Sequence, residues 1–442
     1  MIDLEKAHEL RIKRANTDWW INEKAVVADN GLTYIAYFTD VGEIHIKELD
    51  AKCSKRASRD FRLCKLKYSY SDEHNAPSVC VMQGGKIMVA YTGHNVSALK
   101  YRITKNPYDI YSFSEEKSLP YEGAVTYVQL FENISRKELW LFTRVNKVNW
   151  QFRFSKDEGE TWSEPKTFIH SDKGGLFYVN IRKQDILIGE EAEEQWFFAL
   201  YGHPRCSGDH TIRSGIFDSN GQFLKTNRTP TDYNLFDEKP CFIDPKCLDV
   251  VYASPEGTTV RLLDVSATMP LRVGFAPFVL DLPDAPSPES PVYYSAVFKD
   301  DKWNISDPIC SAGSFLAKYT EDGAQTYLGG MAYYYGVGEV GHYPNHVEVG
   351  ESRVTVTNRI FVARYDGKDW VLESYVSIDH GKTYPLEQVI RKIPGKSNIK
   401  IWRPIVPVYA QDNMQVYWHE GVYTTHTGGW HCDEVMLVEY DD

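Results

Sequence analysis

Two histidine–asparagine pairs carry side chains that could do chemistry together. The first lies in Asp72-Glu-His-Asn-Ala-Pro-Ser78 and the second in Tyr91-Thr-Gly-His-Asn95, each at the edge of an extended apolar run. A strand advances about 3.3 Å per residue, so a hairpin between them returns His74 and His94 to neighbouring positions. Tyr127, in Val125-Thr-Tyr-Val-Gln129, adds a phenol, and Arg144, closing Leu139-Trp-Leu-Phe-Thr-Arg144, adds a permanent cation. Free imidazole titrates near about 6.5 and free phenol near about 10, so the set could give and take protons while holding an anion. Each residue alone also has a structural explanation. A histidine at a hairpin can be a polar turn residue or a satisfied core group, Tyr127 a core ring, and Arg144 half of a surface ion pair. The repetition of His-Asn at matching strand ends is what favours the chemical reading.

The elements that must position these groups are extended. Runs such as TYIAYFT (33–39), SVCVMQGGKIMVAYTG (78–93), ELWLFTRV (138–145) and QWFFALYG (195–202) recur to the end of the chain, as in RIFVARYDGKDWVLESYVS (359–377) and MQVYWHEGVYTT (414–425). Gly84-Gly85 and Asp366-Gly367 sit between paired runs and read as hairpin turns. Apart from residues 3–14, no segment has a helical apolar period. No Pro- or Ser-rich linker interrupts the chain, so residues 1–442 read as a single domain. Many antiparallel units over this length suggest a propeller or a large sandwich.

A repeat decides between them. Ser155-Lys-Asp-Glu-Gly-Glu-Thr-Trp162 fits S-x-D-x-G-x-T-W, and Ser377-Ile-Asp-His-Gly-Lys-Thr-Tyr384 fits it with Tyr for Trp. Thr320-Glu-Asp-Gly-Ala-Gln-Thr-Tyr327 is a degenerate third copy that is one residue off the pattern. These octapeptides resemble Asp boxes, the hairpin signature of BNR-repeat propellers. Asp157 and Asp379 can accept from turn amides, and Gly159 and Gly381 can take a positive φ. The expected fold is an all-β propeller, seven-bladed, with the boxes reporting fold and not chemistry.

With the boxes in place, the stretch from Ser71 to Trp162 resembles the BNR-propeller polysaccharide lyases, namely ulvan lyases and the related rhamnosyl-glucuronate lyases. The likeness continues in Tyr201-Gly-His-Pro-Arg205 and more faintly in Ile401-Trp-Arg-Pro404. The resemblance implies a catalytic group of two strand-end histidines, a tyrosine and an arginine. By motif these fall on His74, His94, Tyr127 and Arg144. Asn75 and Asn95 would help bind substrate, and Tyr201, His203 and Arg205 would edge a subsite.

The implied reaction is β-elimination at an α-L-rhamnosyl-(1→4)-D-glucuronate linkage, giving a 4,5-unsaturated uronate. The C5 proton is barely acidic while the neighbouring carboxylate is ionised, so a cation such as Arg144 must neutralise that carboxylate. A base then removes the C5 proton and an acid protonates the departing O4. A nearby Arg favours tyrosinate, so Tyr127 can serve as base, acid or both, with His74 and His94 as proton-transfer partners and clamp. No cofactor is required for this chemistry. A sialidase-like glycoside hydrolase on the same fold, or a non-catalytic glycan-binding propeller, are the competing readings. The first would tend to carry an Arg-Ile-Pro motif, and Arg11-Ile-Lys13 lacks the Pro.

Bulk composition agrees with a large aromatic β core. Of 442 residues, 29 are Tyr, 20 Phe and 11 Trp, which suits strands and sugar-stacking surfaces. A net charge of -12 argues against a nucleic-acid partner, while an acidic polysaccharide or oligosaccharide is compatible if cations gather in one cleft. The eight Cys form no CxxC pair. Cys310, His342, His346, His431 and Cys432 are suitable ligand types for a structural divalent metal, zinc or calcium, though their spacing matches no closed finger pattern. No apolar run is long enough to span a membrane. The polar N-terminal stretch lacks the apolar core of a signal peptide, which suggests a cytoplasmic protein or one whose leader has been removed.

Overall fold

The computed structural model describes the chain apart from residues 1–3, 5–6, 18–23, 51–57, 67–71, 171–176, 189–190, 203–209, 238–247, 268–269, 280–290, 312–315, 318–325, 328, 335–336, 339–345, 350–351, 357, 409, 411–413, 424–429 and 439–442. Side chains at 184–188, 191–192, 279, 316–317, 326–327, 337–338, 346–349 and 352–356 also lie outside the description. Most of the described chain is strand, as the aromatic and β-branched runs require. No helix among the described residues is long and apolar enough to cross a membrane.

Antiparallel sheets follow one another along the chain and close into a propeller. The first holds Thr33–Thr39, Glu43–Leu49 and Arg59–Lys65. A seven-stranded sheet follows, from Ser78–Val81 to Lys166–His170. Its middle strand, Lys117–Asn133, pairs through its first half with Val96–Ile103 and through its second half with Glu138–Val145. Next come a sheet built on Phe177–Ile188 and Glu191–Gly202, one built on Thr258–Ser266 and Arg272–Val279, and one containing Gly330–Tyr333 and Asn358–Tyr365.

Lys400–Ile405, Gln415–Tyr423 and Trp430–Val438 form the last sheet, and its fourth strand comes from the opposite end of the chain. His8–Ile12 pairs with Trp430–Val438 from His8 opposite Val438 to Ile12 opposite Glu434. The helical expectation for residues 3–14 is therefore wrong where they are described. A strand edge left unpaired at the C-terminus takes up this segment, and tertiary pairing outweighs local periodicity. One apolar cluster runs from Val26 to Leu437 and joins all these sheets.

The turn chemistry read from the sequence is present. Gly84 and Gly85 turn the first hairpin at φ of 94° and 86°, and Gly367 turns the later one at 97°. Both complete Asp boxes have the same internal bonding. Asp157 accepts from the Thr161 amide at 2.8 Å and its hydroxyl at 2.6 Å, while Ser155 Oγ accepts from the Gly159 amide at 2.8 Å. Asp379 accepts from Thr383 at 2.9 and 2.6 Å, with Gly381 bonding Ser377 Oγ at 2.8 Å. Each box aromatic seals its hairpin against strands earlier in the chain: Trp162 against Tyr101, and Tyr384 against Ser295. The degenerate copy at 320–327 lies outside the described residues, save for the backbone of Thr326–Tyr327.

Candidate active site

The site begins with a short turn. Asp72 caps the 3-10 turn Glu73–Asn75 by accepting from the His74 amide at 3.0 Å, and the Pro77 that follows prevents its continuation before strand Ser78–Val81. The same carboxylate collects both imidazoles. Asp72 Oδ1 lies 2.5 Å from His74 Nδ1, and Oδ2 lies 2.9 Å from His94 Nδ1. The two rings stack with centroids 3.8 Å apart and planes 5° from parallel. The hairpin Ser78–Val81/Ile87–Tyr91 therefore returns the second histidine onto the first.

This geometry sets the tautomers. A carboxylate accepts only, so each Nδ1 carries a hydrogen, and in the neutral ring the lone pair is on Nε2. Burial alone would raise the Asp72 carboxyl, but the bonds from His74 and His94 hold it far below the usual carboxylate range. His94 is the open member of the pair: 29% of its side chain is exposed, against 8% for His74.

Tyr127 stands on the other side of His74, its ring 5.5 Å away and tilted by 25°. It occupies a bulge where the register with Glu138–Val145 slips between Thr126 and Gln129. Its φ is 66°, a left-handed conformation that a bulky side chain adopts only when its surroundings over-determine it. Three contacts do so. Thr143 Oγ donates to the Tyr127 carbonyl at 2.6 Å, Gln129 bridges to the next sheet through Val179 O and the Ile181 amide, and Thr126 Oγ accepts from the Asn95 amide at 3.0 Å. The last bond ties the His94 turn to the Tyr127 strand. Burial pushes the Tyr127 phenol well above its ordinary value, and Arg144 opposes this only in part.

Arg144 lies opposite Thr126 at the end of strand Glu138–Val145. Its guanidinium sits 4.5 Å over the Tyr127 ring and 5.3 Å from that of Tyr178. It is only 3% exposed, and among the described residues no carboxylate pairs with it and Nη1 has no hydrogen-bond partner. A buried guanidinium held by ring faces alone keeps its directional donors for an anion that enters the site. The nearer Asp box is elsewhere: Ser155 pairs with Leu139, five residues back along the strand, or about 17 Å at the usual rise.

The structure thus gathers His74, His94, Tyr127 and Arg144 in one cluster. Of the expected binding residues, Asn75 is fully buried behind the turn, and Asn95 is exposed but spends its Oδ1 on Thr126. Tyr201 is buried and stacks 5.3 Å from Tyr178. His203 and Arg205 lie outside the described residues.

Asp72 and Tyr178 are the members that the sequence reading did not assign. Asp72 was visible two residues before His74, a spacing at which an N-cap carboxylate can reach a ring nitrogen. Tyr178 had no comparable signal, because it arrives from the next sheet opposite Tyr201.

Asp72, His74 and His94 also form the one group among the described residues whose ligand atoms, all within 4.8 Å of one another, suit a metal ion. The two imidazole bonds already satisfy that carboxylate. Among the described residues, Cys310, His431 and Cys432 join no such group. Cys310 lies beside Tyr375 and Glu373, and His431 bonds Asp40 at 2.6 Å. Buried Cys432 donates to Ala15 O. Adjacent residues of one strand point to opposite faces, which separates His431 from Cys432. The side chains of His342 and His346 are outside the described residues.

Comparison with known proteins places this geometry in context. Residues 32–184 match the family described as BNR repeat-containing family member. The chain is 25% identical over 198 residues to an ulvan lyase of Nonlabens ulvanivorans, and 23% identical over 216 residues to one of Alteromonas sp. (strain LOR). These matches cover 39% and 44% of this chain and 38% and 40% of the relatives' own length. In structure it is similar to a polysaccharide lyase described as an ulvan lyase bound to -[GlcA(1-4)Rha3S]-, with a TM-score of 0.66, 13% identity and 96% of each chain covered. Polysaccharide lyase Uly1 is similar at a TM-score of 0.52, 12% identity, and 95% and 90% coverage.

Proposed function

The chain is distantly homologous to ulvan lyases in sequence and structure, and from that premise we propose that it is a polysaccharide lyase acting on uronate linkages. The reading extends to α-L-rhamnosyl-(1→4)-D-glucuronate as the linkage cleaved and to β-elimination as the reaction. It includes seven blades, counting the seven-stranded sheet as two blades that share the strand Lys117–Asn133. The observation that carries the function is Arg144: a buried guanidinium without an acidic partner among the described residues, beside an acid–base cluster.

In this mechanism Arg144 neutralises the uronate carboxylate, which lets negative charge build at C5. His94 is the base, because its Nδ1 is held by Asp72, which leaves Nε2 as the ring's other nitrogen, and it is the more exposed ring. The C5–H electron pair becomes the C4=C5 double bond as the C4–O4 bond breaks. Tyr127 supplies the proton to O4, since a phenol held well above its ordinary pKa is protonated at neutral pH. Asp72 keeps the imidazoles in the required tautomer. Proton exchange with water restores both groups. None of these steps calls for a metal or an organic cofactor.

The test is incubation with ulvan, gum arabic and glycosaminoglycans, followed by the ultraviolet absorbance of the conjugated product. Wild type is expected to generate it on at least one substrate. Arg144→Ala and His94→Ala should each lower kcat/KM by about 10²-fold or more with unchanged circular dichroism. New reducing ends without absorbance would establish hydrolysis instead, and binding without product a glycan-binding role.

A further inference from the structure

A second strained bulge lies in the closing sheet. Register between Lys400–Ile405 and Gln415–Tyr423 slips between Trp402 and Ile405, and Arg403 within it has a φ of 43°. The structure presses on this residue: a Cβ on Gly330, in the preceding sheet, would stand 2.6 Å from Arg403 Cα. Strain of this kind persists where the backbone must aim a side chain. Tyr127 is so aimed for the reaction, but nothing in the mechanism uses Arg403.

The target of Arg403 is the residue between Asp72 and His74. Arg403 Nη1 lies 2.9 Å from Glu73 Oε2, and the Tyr423 hydroxyl donates to the same oxygen at 3.0 Å. Glu73 is fully buried and Arg403 is 6% exposed. Within the turn the side chains divide: Asp72 and His74 meet at the imidazole stack, while Glu73 reaches into the last sheet, 330 and 350 residues away along the chain.

We propose that Glu73, gripped by Arg403 and Tyr423, is a positioning residue that fixes the Asp72–His74 turn to the sheet that closes the ring. This rests on the elimination reading, in which Asp72 must hold both imidazoles for His94 to act as base. Inside the turn, Asn75 N donates to Asp72 O, Ala76 N to Glu73 O and the His74 amide to the Asp72 carboxylate, whereas Glu73 ties it to the closing sheet. A glutamine at this position is nearly isosteric and keeps a side-chain oxygen as acceptor for both partners.

The experiment measures lyase kinetics and the imidazole N–H signals of nitrogen-labelled histidine in Glu73→Ala, Glu73→Gln and Tyr423→Phe. Glu73→Ala is expected to lower kcat by about 10-fold or more with KM within about twofold, as small misplacements of catalytic groups do. It should also shift or broaden the His74 and His94 signals. Glu73→Gln should restore kcat to within about threefold of wild type, the mark of placement over charge. If the alanine variant does not fold, Tyr423→Phe removes one hydroxyl and should show the same two changes in smaller measure. Wild-type kcat together with unmoved histidine signals in the folded variants would overturn the proposal. Should wild type yield no unsaturated product on any substrate, the elimination reading falls, and the histidine signals alone still decide whether Glu73 places the turn.

Discussion

Asp72 accepts from two imidazoles at once, and its charge fixes where their protons sit. Replacing it with asparagine keeps the cap on the His74 amide but puts an amide where a carboxylate accepted two N–H groups. At least one imidazole must then take the other tautomer, with its proton on Nε2 and no lone pair for a substrate. We expect Asp72→Asn to lower kcat by about 10²- to 10⁴-fold, the range lost with a general base, while circular dichroism stays that of wild type. The same residue predicts an acid response. Its folded pKa lies below its unfolded value, so its stabilisation is complete above about pH 4 and is lost as pH falls through the folded value. Thermal midpoints measured from neutral to acid pH should therefore fall less steeply below about pH 4 in the asparagine variant. At this scale the sequence showed the four side chains, because each lies in a short motif of a few residues. The enclosure of Arg144 between ring faces was not legible. It depends on Tyr178, which reaches the guanidinium from another sheet.

Strand ends and bulges decide how those side chains are aimed. The glycine turns and the two Asp boxes follow from local rules, and the sequence gives them away because φ preference and short-range side-chain bonding act within a few residues. The bulge at Tyr127 has no such local cause. No glycine marks it, and it exists because Thr143, Gln129 and the Asn95–Thr126 bonds hold it from three directions. Thr143→Ala removes the hydroxyl that grips the Tyr127 carbonyl. It should cost about 1 kcal/mol of stability, the usual worth of a buried hydrogen bond. The larger effect should fall on turnover, about 10-fold in kcat with KM little changed, because the phenol shifts relative to His74. A variant that lost stability but kept its kcat would show that the bulge serves folding alone.

Ring closure is a property of the whole molecule, and the first described strand performs it. His8–Ile12 lies on Trp430–Val438 and leaves that edge paired, with Arg11 bonding Glu420 across the same sheet at 3.0 Å. Removing residues 1–12 should expose the edge strand, lower the thermal midpoint and promote association, as calorimetry and light scattering would show. An unchanged midpoint would mean that the ring does not depend on this strand. Because the closing sheet also grips Glu73, the truncated protein should lose turnover before it loses secondary structure. A charge of -12 gives no hint of the proposed anion site at this scale, since that site would depend on one cation placed among rings and not on a basic surface.

The central claim is that Arg144, His94 and Tyr127 break a uronate linkage by elimination, and the direct measurement is the mass of the product formed in heavy-oxygen water. Elimination yields a unit lighter by one water and free of label. Full-mass products, with no unit lighter by one water, would contradict the account, since water adds across the bond only in hydrolysis.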